Sequence, residues 1–434
     1  MIKVLKFGGT SVGSAANMKK VAEIVRREQA RITVLSAMSG TTDSLVRISR
    51  AAASGDRNAI EEQLAMLTDK YTRCIEELLR ERKQQALARM NATFGLIRDE
   101  AAAFEEYESE RKIIAQGELL TSAIFTAYLQ ETGLKAECLY SPDFMVKDPG
   151  EKVDTERIGR ALARVASDDS TFFVAQGFIC SDSQGRIDNL GRGGSDYSAA
   201  LMGAAVEAAE VQIWTDIDGM HNNDPRFVDN TRPIRTMSFD EAAELAYFGA
   251  KILHPATIQP CKDHGIAVLL KNTMDPEAPG TTISNRDDDM KSFHAVAAKD
   301  GITVIRIHSA RMLMAYGFLR KVFEIFEQYR TPIDMITTSE VAVSLTVDND
   351  SHIDEIVRDL SALGSIEIER GNSIVCVVGR MEHGDAGLAA RVFECVRGVP
   401  IKMISYGASH RSLAILIDTE HKKRTLQCLN DGLF

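Results

Sequence analysis

Residues 2–35 read IKVLKFGGTSVGSAANMKKVAEIVRREQARITVL. Ile2–Phe7 is a short apolar run that ends in Gly8-Gly9. Asn17–Gln29 follows, with apolar Val21, Ile24 and Val25 at helical spacing. Ile32–Leu35 is a second run with β-branched residues, and it too ends in small polar residues, SAMSGTT. Strand, small-residue loop, helix, strand is the unit of an α/β fold with a mainly parallel sheet. Such sheets carry their sites at the carboxyl ends of strands.

Outward from this unit the pattern changes. Residues 55–112 are rich in Glu, Arg, Lys, Gln, Leu and Ala, with Gly55 and Gly95 and no proline, and they read as a helical insertion. Within it Leu64, Leu67, Tyr71, Ile75 and Leu78 keep spacings of three and four, an apolar stripe on a charged helix. Strand signals resume at Lys135–Tyr140, Phe172–Val174, Val211–Trp214 and Val268–Leu270, before the Asp-rich linker Asn285–Lys291. Residues 1–290 therefore read as one large domain.

An internal repeat follows. Residues 317–348 read GFLRKVFEIFEQYRTPIDMITTSEVAVSLTVD and residues 387–418 read GLAARVFECVRGVPIKMISYGASHRSLAILID. Lys321–Glu324 matches Arg391–Glu394, and Ile333-x-Met335-Ile336 matches Ile401-x-Met403-Ile404. Each copy predicts strand, helix, strand, strand, helix, with an apolar strand ahead of its glycine (Ile302–Ile307 and Ile374–Val378). The first copy closes with a further strand, Ile366–Glu369. The second ends in its last helix, Lys422–Leu429, and the apolar run Phe293–Ala298 is the candidate to supply its missing strand. One small domain (300–370) is then inserted within the other (293–299 plus 371–434).

Composition narrows the function. Of 434 residues, 51 are Lys or Arg and 62 Asp or Glu, a net charge of −11, which argues against a nucleic-acid binder. No apolar stretch approaches the length of a membrane span, and the N-terminal run is broken by Lys6, so neither a membrane segment nor a secretory leader is expected. The seven cysteines are scattered without a C-x-x-C pair, as for reduced thiols in a cytoplasmic protein.

The residues able to do chemistry cluster in glycine-rich stretches. Lys6-Phe7-Gly8-Gly9-Thr10-Ser11 ends the first strand, where glycines let backbone N–H groups turn toward a phosphate and Lys6 adds a compact charge. There is no G-x-x-x-x-G-K-[ST], so an ATP site here is not a P-loop. Leu190-Gly191-Arg192-Gly193-Gly194-Ser195-Asp196 sets an arginine fork, suited to a carboxylate, beside an acid at the start of a helix. Arg226 and Lys251 are two further cations. Each, taken alone, reads as a solvated surface charge, and His254 before Pro255 reads as a structural histidine.

Taken together, K-F-G-G-T-S-V at Lys6–Val12, Q-G-E-L at Gln116–Leu119, Q-G-F at Gln176–Phe178, L-G-R-G-G-S-D-Y at Leu190–Tyr197, W-T-D at Trp214–Asp216 and F-G-A-K-x-L-H-P at Phe248–Pro255 resemble the aspartate kinases. That family has the three-layer amino-acid kinase fold with a mainly parallel central sheet, followed by tandem ACT (βαββαβ) regulatory domains, and the resemblance spans the chain. It implies ATP + L-aspartate → ADP + 4-phospho-L-aspartate, the first step toward lysine, threonine and methionine, with Mg²⁺ held mainly by phosphates and water. By the same resemblance Lys6 stabilises the migrating phosphoryl group, with Gly8, Gly9 and Ser11 shaping its loop. Arg192 grips the substrate α-carboxylate, with Gly193, Gly194 and Ser195 beside it. Glu118 faces the α-ammonium or organises Lys6, and Asp196 supports Lys6. Ser36, Thr42 and Phe178 line the substrate pocket. Thr215, Asp216, His221, Arg226 and Lys251 lie on the nucleotide side. One departure stands out: members of the family commonly read G-[IV]-Y-T-T-D-P-R where this chain reads Gly219-Met220-His221-Asn222-Asn223-Asp224-Pro225-Arg226.

The repeat resembles paired ACT domains, which implies a homodimer built through them, with a tetramer as the larger alternative. Gly317-Phe318-Leu319 opens a helix whose free N–H groups suit an amino-acid carboxylate. Met312, Asp334, Ser339 and Glu340 complete a pattern resembling lysine-inhibited members, the acids answering a second ammonium. The readings set against this are another amino-acid kinase, a sensor whose kinase domain has decayed, and a fusion with homoserine dehydrogenase. The second repeat is followed by no dinucleotide-binding pattern, so the fusion is not expected.

Overall fold

The computed structural model of the chain describes all residues except 151, 169, 192, 250–254, 286–291, 313–315, 383, 384 and 386, and the side chains of 166, 255, 256 and 311. The chain divides into two bodies: residues 1–220, 235–239 and 253–287 form the first, and residues 221–234, 240–252 and 288–434 the second.

The first body is built on an eight-stranded sheet. Its strands are β1 (Lys3–Phe7), β2 (Ile32–Leu35), β3 (Ala136–Cys138), β4 (Phe172–Gln176), β7 (Glu210–Thr215), β8 (Thr236–Ser238), β9 (Ala267–Asn272) and β10 (Thr281–Ser284), in the spatial order β3-β4-β2-β1-β7-β9-β10-β8. A separate ribbon pairs β5 (Ile179–Ser181) with β6 (Ile187–Asn189). All pairs of the large sheet are parallel except β9–β10. Parallel register aligns Phe7 with Leu35 and Trp214, and Leu35 with Gln176. Gly8, Ser36, Thr215 and Gly177 therefore leave the sheet along one carboxyl edge.

Helices α1 (Ala15–Glu28), α2 (Thr41–Ser54), α3 (Arg57–Leu78), α4 (Lys83–Ala102), α5 (Glu106–Glu131), α6 (Thr155–Ser167) and α7 (Gly194–Ala205) complete this body, together with α9 (Pro255–Asp263); α8 (Phe239–Tyr247) belongs almost wholly to the second. Ser14 caps α1 by accepting the Asn17 N–H at 3.2 Å. The stripe Leu64, Leu67, Tyr71, Ile75, Leu78 is buried against Met90, Phe94 and Ile97 of α4 and Leu120 and Ile124 of α5 in one core. The helical run does not stop at 112. No proline breaks it and Gly117 is accommodated inside the helix, so α5 runs on to Glu131 and the Gln116–Leu119 motif rides on the same helix as the end of the insertion.

The second body holds a six-stranded antiparallel sheet in the order β12-β13-β11-β14-β16-β15. These strands are β11 (Ala295–His308), β12 (Ile336–Thr338), β13 (Ala342–Val347), β14 (Ser365–Val378), β15 (Met403–Tyr406) and β16 (Ser412–Asp418), and α10 (Phe318–Gln328), α11 (Ile353–Leu360), α12 (Leu388–Cys395) and α13 (Lys422–Leu433) pack on it. Two expectations are corrected here. Ala295–Ala298 of the run Phe293–Ala298 and Ile302–Ile307 are not separate strands but parts of β11, and Ile366–Glu369 and Ile374–Val378 are parts of β14. The two strands pair along their whole length, Ala295 opposite Val378 and His308 opposite Ser365, with the register slipping near Ile302. Gly301 and Gly371, at φ +76° and +78°, absorb the slip as a bulge without ending either strand. Each repeat nevertheless keeps its own core, Ile305, Val322, Phe326 and Leu345 in one and Val375, Val392, Ile415 and Leu429 in the other.

All seven cysteines are free thiols; four are buried and Cys138, Cys395 and Cys428 are partly exposed. No helix among the described residues is long and apolar enough to cross a membrane.

Candidate active site

The carboxyl edge of the parallel sheet opens on a cavity of about 320 Å³ lined by Lys6, Ser36, Thr42, Glu118, Phe178, Gly191, Gly193, Gly194, Ser195 and Asp196. Four segments of the chain bring these residues together. Lys6 is the penultimate residue of β1, and its Nζ lies 2.6 Å from Oδ1 of Asp196, both side chains being nearly buried. Asp196 enters from the first turn of α7, whose N-cap Gly193 holds φ +73°. A charge pair at such depth is sustained only because each partner answers the other. The pair leaves the ammonium of Lys6 fixed at the cavity wall.

Ser36 follows β2 and donates its hydroxyl to Ser195 Oγ at 3.0 Å. That contact requires the turn after β4 to lie against the start of α7, and a Cβ on Gly177 would fall 2.6 Å from the Ser195 Cβ. The glycine of Gln176-Gly177-Phe178 is thus there for close approach. Gln176 itself is a brace: its Oε1 accepts the Ser141 N–H and its Nε2 donates to Ser122 Oγ and the Leu139 carbonyl. Phe178 sits at φ +66°, in the left-handed region that costs a bulky residue energy, while its N–H donates to Ser198 Oγ at 3.0 Å.

Glu118 lies on α5 and is 3% exposed. Its Oε1 accepts the Ala37 N–H at 3.2 Å, whereas Oε2 is buried without a hydrogen-bond partner among the described residues. Burial pushes this carboxyl up to about 7, and the Ala37 N–H only moderates the shift. Of its two expected roles, organising Lys6 falls to Asp196 instead. Glu118 is nevertheless one of the residues lining the cavity.

Several expected nucleotide-side residues are engaged structurally. The Gly8 N–H donates to the Trp214 carbonyl at 3.2 Å and is not turned toward a phosphate. Gly9 is glycine because a Cβ would fall 2.8 Å from the Ala37 carbonyl oxygen. Ser11 is buried and shares a 2.7 Å hydrogen bond with Thr273 Oγ1, which ties the first loop to the end of β9. Thr215 Oγ1 accepts the Ile217 N–H in a local turn, and Asp216 is exposed in the loop after β7. Arg192, Lys251 and His254 lie outside the described residues.

His221 and Arg226 belong to the second body. His221 Nδ1 contacts Thr231 Oγ1 at 3.1 Å. Arg226 is exposed, and its guanidinium already clasps Asp224 through both carboxylate oxygens. The two asparagines that depart from the family pattern are buried. Asn222 donates to Asn430 Oδ1 at 3.1 Å and Asn223 to the Leu426 carbonyl at 3.0 Å, both partners on α13.

The expected effector residues divide likewise. Gly317 caps α10 at φ +79°, Phe318 is buried, and Met312 and Leu319 pack against the first-repeat core. Asp334 already has internal partners: its side chain is 1% exposed and its Oδ1 accepts both Lys299 Nζ and the Tyr247 hydroxyl, each at 2.8 Å. So buried a carboxylate needs an internal cation. Its Oδ2 is buried and has no hydrogen-bond partner among the described residues. Ser339 and Glu340 are exposed.

Comparison with known proteins bears on the family and the fold. Residues 1–272 match the amino acid kinase family and residues 375–433 an ACT domain family. The chain is 34% identical over 460 residues to the lysine-sensitive aspartokinase 3 of Escherichia coli K12, covering 100% of this chain and 99% of that one. It is 32% identical to the chloroplastic aspartokinase 1 of Arabidopsis thaliana, covering 99% and 80%. The crystal structure of E. coli aspartokinase III in complex with aspartate and ADP (R-state) superposes with a TM-score of 0.89 at 32% identity over 100% of both chains. Its complex with lysine and aspartate (T-state) gives 0.83 at 33% identity, covering 100% and 99%.

Proposed function

The chain belongs to the aspartokinase family, and on that premise we propose that it transfers the γ-phosphoryl group of ATP to the side-chain carboxylate of L-aspartate, giving ADP and 4-phospho-L-aspartate. What carries the reading is one cavity that gathers Lys6, Ser36, Thr42, Glu118, Phe178, Ser195 and Asp196. A substrate carboxylate is already ionised at neutral pH, so the reaction needs no general base. Catalysis reduces to holding two anions in line and neutralising charge on the group in transit. Lys6, oriented by Asp196, supplies that charge. Glu118 takes the substrate α-ammonium, and Arg192 grips the α-carboxylate. Ser36 and Thr42 line the substrate side with Phe178, Gly193, Gly194 and Ser195. Thr215, Asp216, His221, Arg226 and Lys251 serve the nucleotide, with Gly8, Gly9 and Ser11 acting as scaffold for Lys6.

A kinase of this type works on a nucleotide–metal complex, and we assign Mg²⁺ to that role. Its ligands would come mainly from the phosphates and water, with at most one protein carboxylate. The ion, when bound, offsets charge on the transferred phosphoryl oxygens.

We further assign the catalytic domain to 1–290 and the ACT domains to 300–370 and to 293–299 plus 371–434, with homodimerisation through the latter in the cytoplasm. Lysine is the feedback effector: its α-carboxylate meets the start of α10 at Gly317–Leu319 beside Met312, and its side-chain ammonium meets Asp334, flanked by Ser339 and Glu340. Inhibition then follows from a difference in lysine affinity between two states of the protein.

Trapping the acyl phosphate with hydroxylamine tests the reaction. Aspartate hydroxamate should form only when both ATP and L-aspartate are present, and its absence would refute the reading. Calorimetry with lysine tests the effector: binding should accompany loss of hydroxamate formation, and no heat with unaltered activity would remove lysine from the account.

A further inference from the structure

The loop after β2 and the first turn of α2 bring Ser36 and Thr42 to the cavity, and the residues between them are held from behind. The Ala37 N–H donates to Glu118 Oε1 and the Met38 N–H to Thr121 Oγ1, both at 3.2 Å and both on one face of α5. The helical insertion adds a third hold. Tyr71 of α3 is wholly buried, edge-on to Phe94 at 6.0 Å, and its hydroxyl lies 3.2 Å from Thr41 Oγ1 and 3.2 Å from Thr121 Oγ1. The neighbouring Lys70 reaches the same loop at the Ser39 carbonyl and at Thr41 Oγ1.

Counting protons gives this cluster a direction. Thr121 spends its hydroxyl hydrogen on the Gly117 carbonyl at 2.8 Å, so toward the loop it acts only as an acceptor. Tyr71 must then donate to Thr121 and accept from Thr41, while Thr41 accepts from Lys70. Burial pushes the Tyr71 hydroxyl up to about 12, so it stays a donor at every pH at which a kinase works. Packing does not ask for that hydroxyl. Tyr71 stands in an apolar core with Leu67, Ile75, Phe94 and Ile97, where phenylalanine would fill the same space. A polar group set in such a core is explained by the partners it meets, and both lie at the back of the substrate loop.

We infer that Tyr71 is a positioning residue for aspartate, using its hydroxyl to lock Thr41 to Thr121 and thereby fix where Ser36 and Thr42 stand. This rests on the reading that the loop contacts aspartate. The helical insertion is then part of the substrate site's support, although it contributes no side chain to the cavity.

The test is steady-state kinetics of Tyr71→Phe against wild type, with thermal unfolding alongside. The aspartate KM should rise about fivefold, the order expected for one net hydrogen bond, with the ATP KM and the unfolding midpoint close to wild type. Thr121→Val should reproduce the effect and Thr121→Ser restore it, which keeps the inference testable should the tyrosine variant fold poorly. Combining Tyr71→Phe with Thr41→Val should cost no more than either change alone. An unchanged aspartate KM, or a parallel rise in both KM values, would overturn the inference. Wild-type protein that forms no hydroxamate from aspartate would instead refute the reading beneath it, and the inference with it.

Discussion

The cavity at the edge of the parallel sheet and the Asp334 cluster in the antiparallel sheet both bury charge, and they do so in opposite ways. In the cavity, Lys6 is fixed by Asp196, while the buried Glu118 Oε2 has no hydrogen-bond partner among the described residues. In the cluster, Asp334 is already answered by Lys299 and Tyr247, and Lys299 also reaches Asp348 Oδ2 at 2.8 Å and stands over the Tyr247 ring. The difference teaches what each region is for. A site built for chemistry fixes its charges and leaves coordination for a substrate. At Asp334 the carboxylate already has an internal cation, so a ligand that meets it must add to, or compete with, a bond the protein already makes.

Disturbing one region should leave the other's property standing, and the sizes differ. The largest effect expected is on stability. Phe326 is 2% exposed in the first-repeat core, and Phe326→Ala should lose about 3–5 kcal/mol by chemical denaturation. Aspartate turnover measured well below the transition should stay near wild type; loss of turnover in proportion would merge the two regions. Next, Asp196→Asn should lower kcat by about 10²-fold in an ADP-release assay, because Lys6 loses the charge that holds it, while lysine binding is unaltered. Asp334→Asn should weaken lysine about tenfold by calorimetry, as for loss of a charge-assisted hydrogen bond, with kcat unmoved.

The smallest effect is a pH dependence. Burial raises the Glu118 carboxyl from its ordinary 4.5 to about 7, so the folded state holds a proton the unfolded chain has already released. Stability contributed by this group therefore falls as pH rises from about 4.5 to about 7 and is level above. The ionised form is the one that pairs with an ammonium, so the aspartate KM should fall as pH rises through the same upper limit. Glu118→Gln should flatten both profiles. A wild-type KM that is flat across that range would remove the ammonium-binding role.

The same contrast governs what was legible in the residues. Lys6, Ser36 and Phe178 could be read together because each lies at or just past the end of a short apolar run, and parallel register carries such ends to one edge. Asp334 gave no sign of its partners, since Lys299 lies 35 residues away and Tyr247 lies 87 residues away, and neither sits in a motif. The buried pair Asn222-Asn223 was read only as a departure from a nucleotide loop. An amide donates and accepts at once, and its partners on α13 come from more than 200 residues downstream. Gly301 and Gly371 look like strand ends and are bulges, a choice made by the pairing of β11 with β14. Tyr71 falls in the buried stripe that its spacing predicts, but periodicity counts its ring and says nothing of its hydroxyl.

The most direct test of the account is hydroxamate formation from ATP, L-aspartate and hydroxylamine by wild type and Lys6→Ala side by side, with ATP binding followed by calorimetry. Wild type should accumulate aspartate hydroxamate, and Lys6→Ala should fall about 10³-fold while remaining folded and still binding nucleotide. Full activity in Lys6→Ala, or no hydroxamate from wild type, would contradict it.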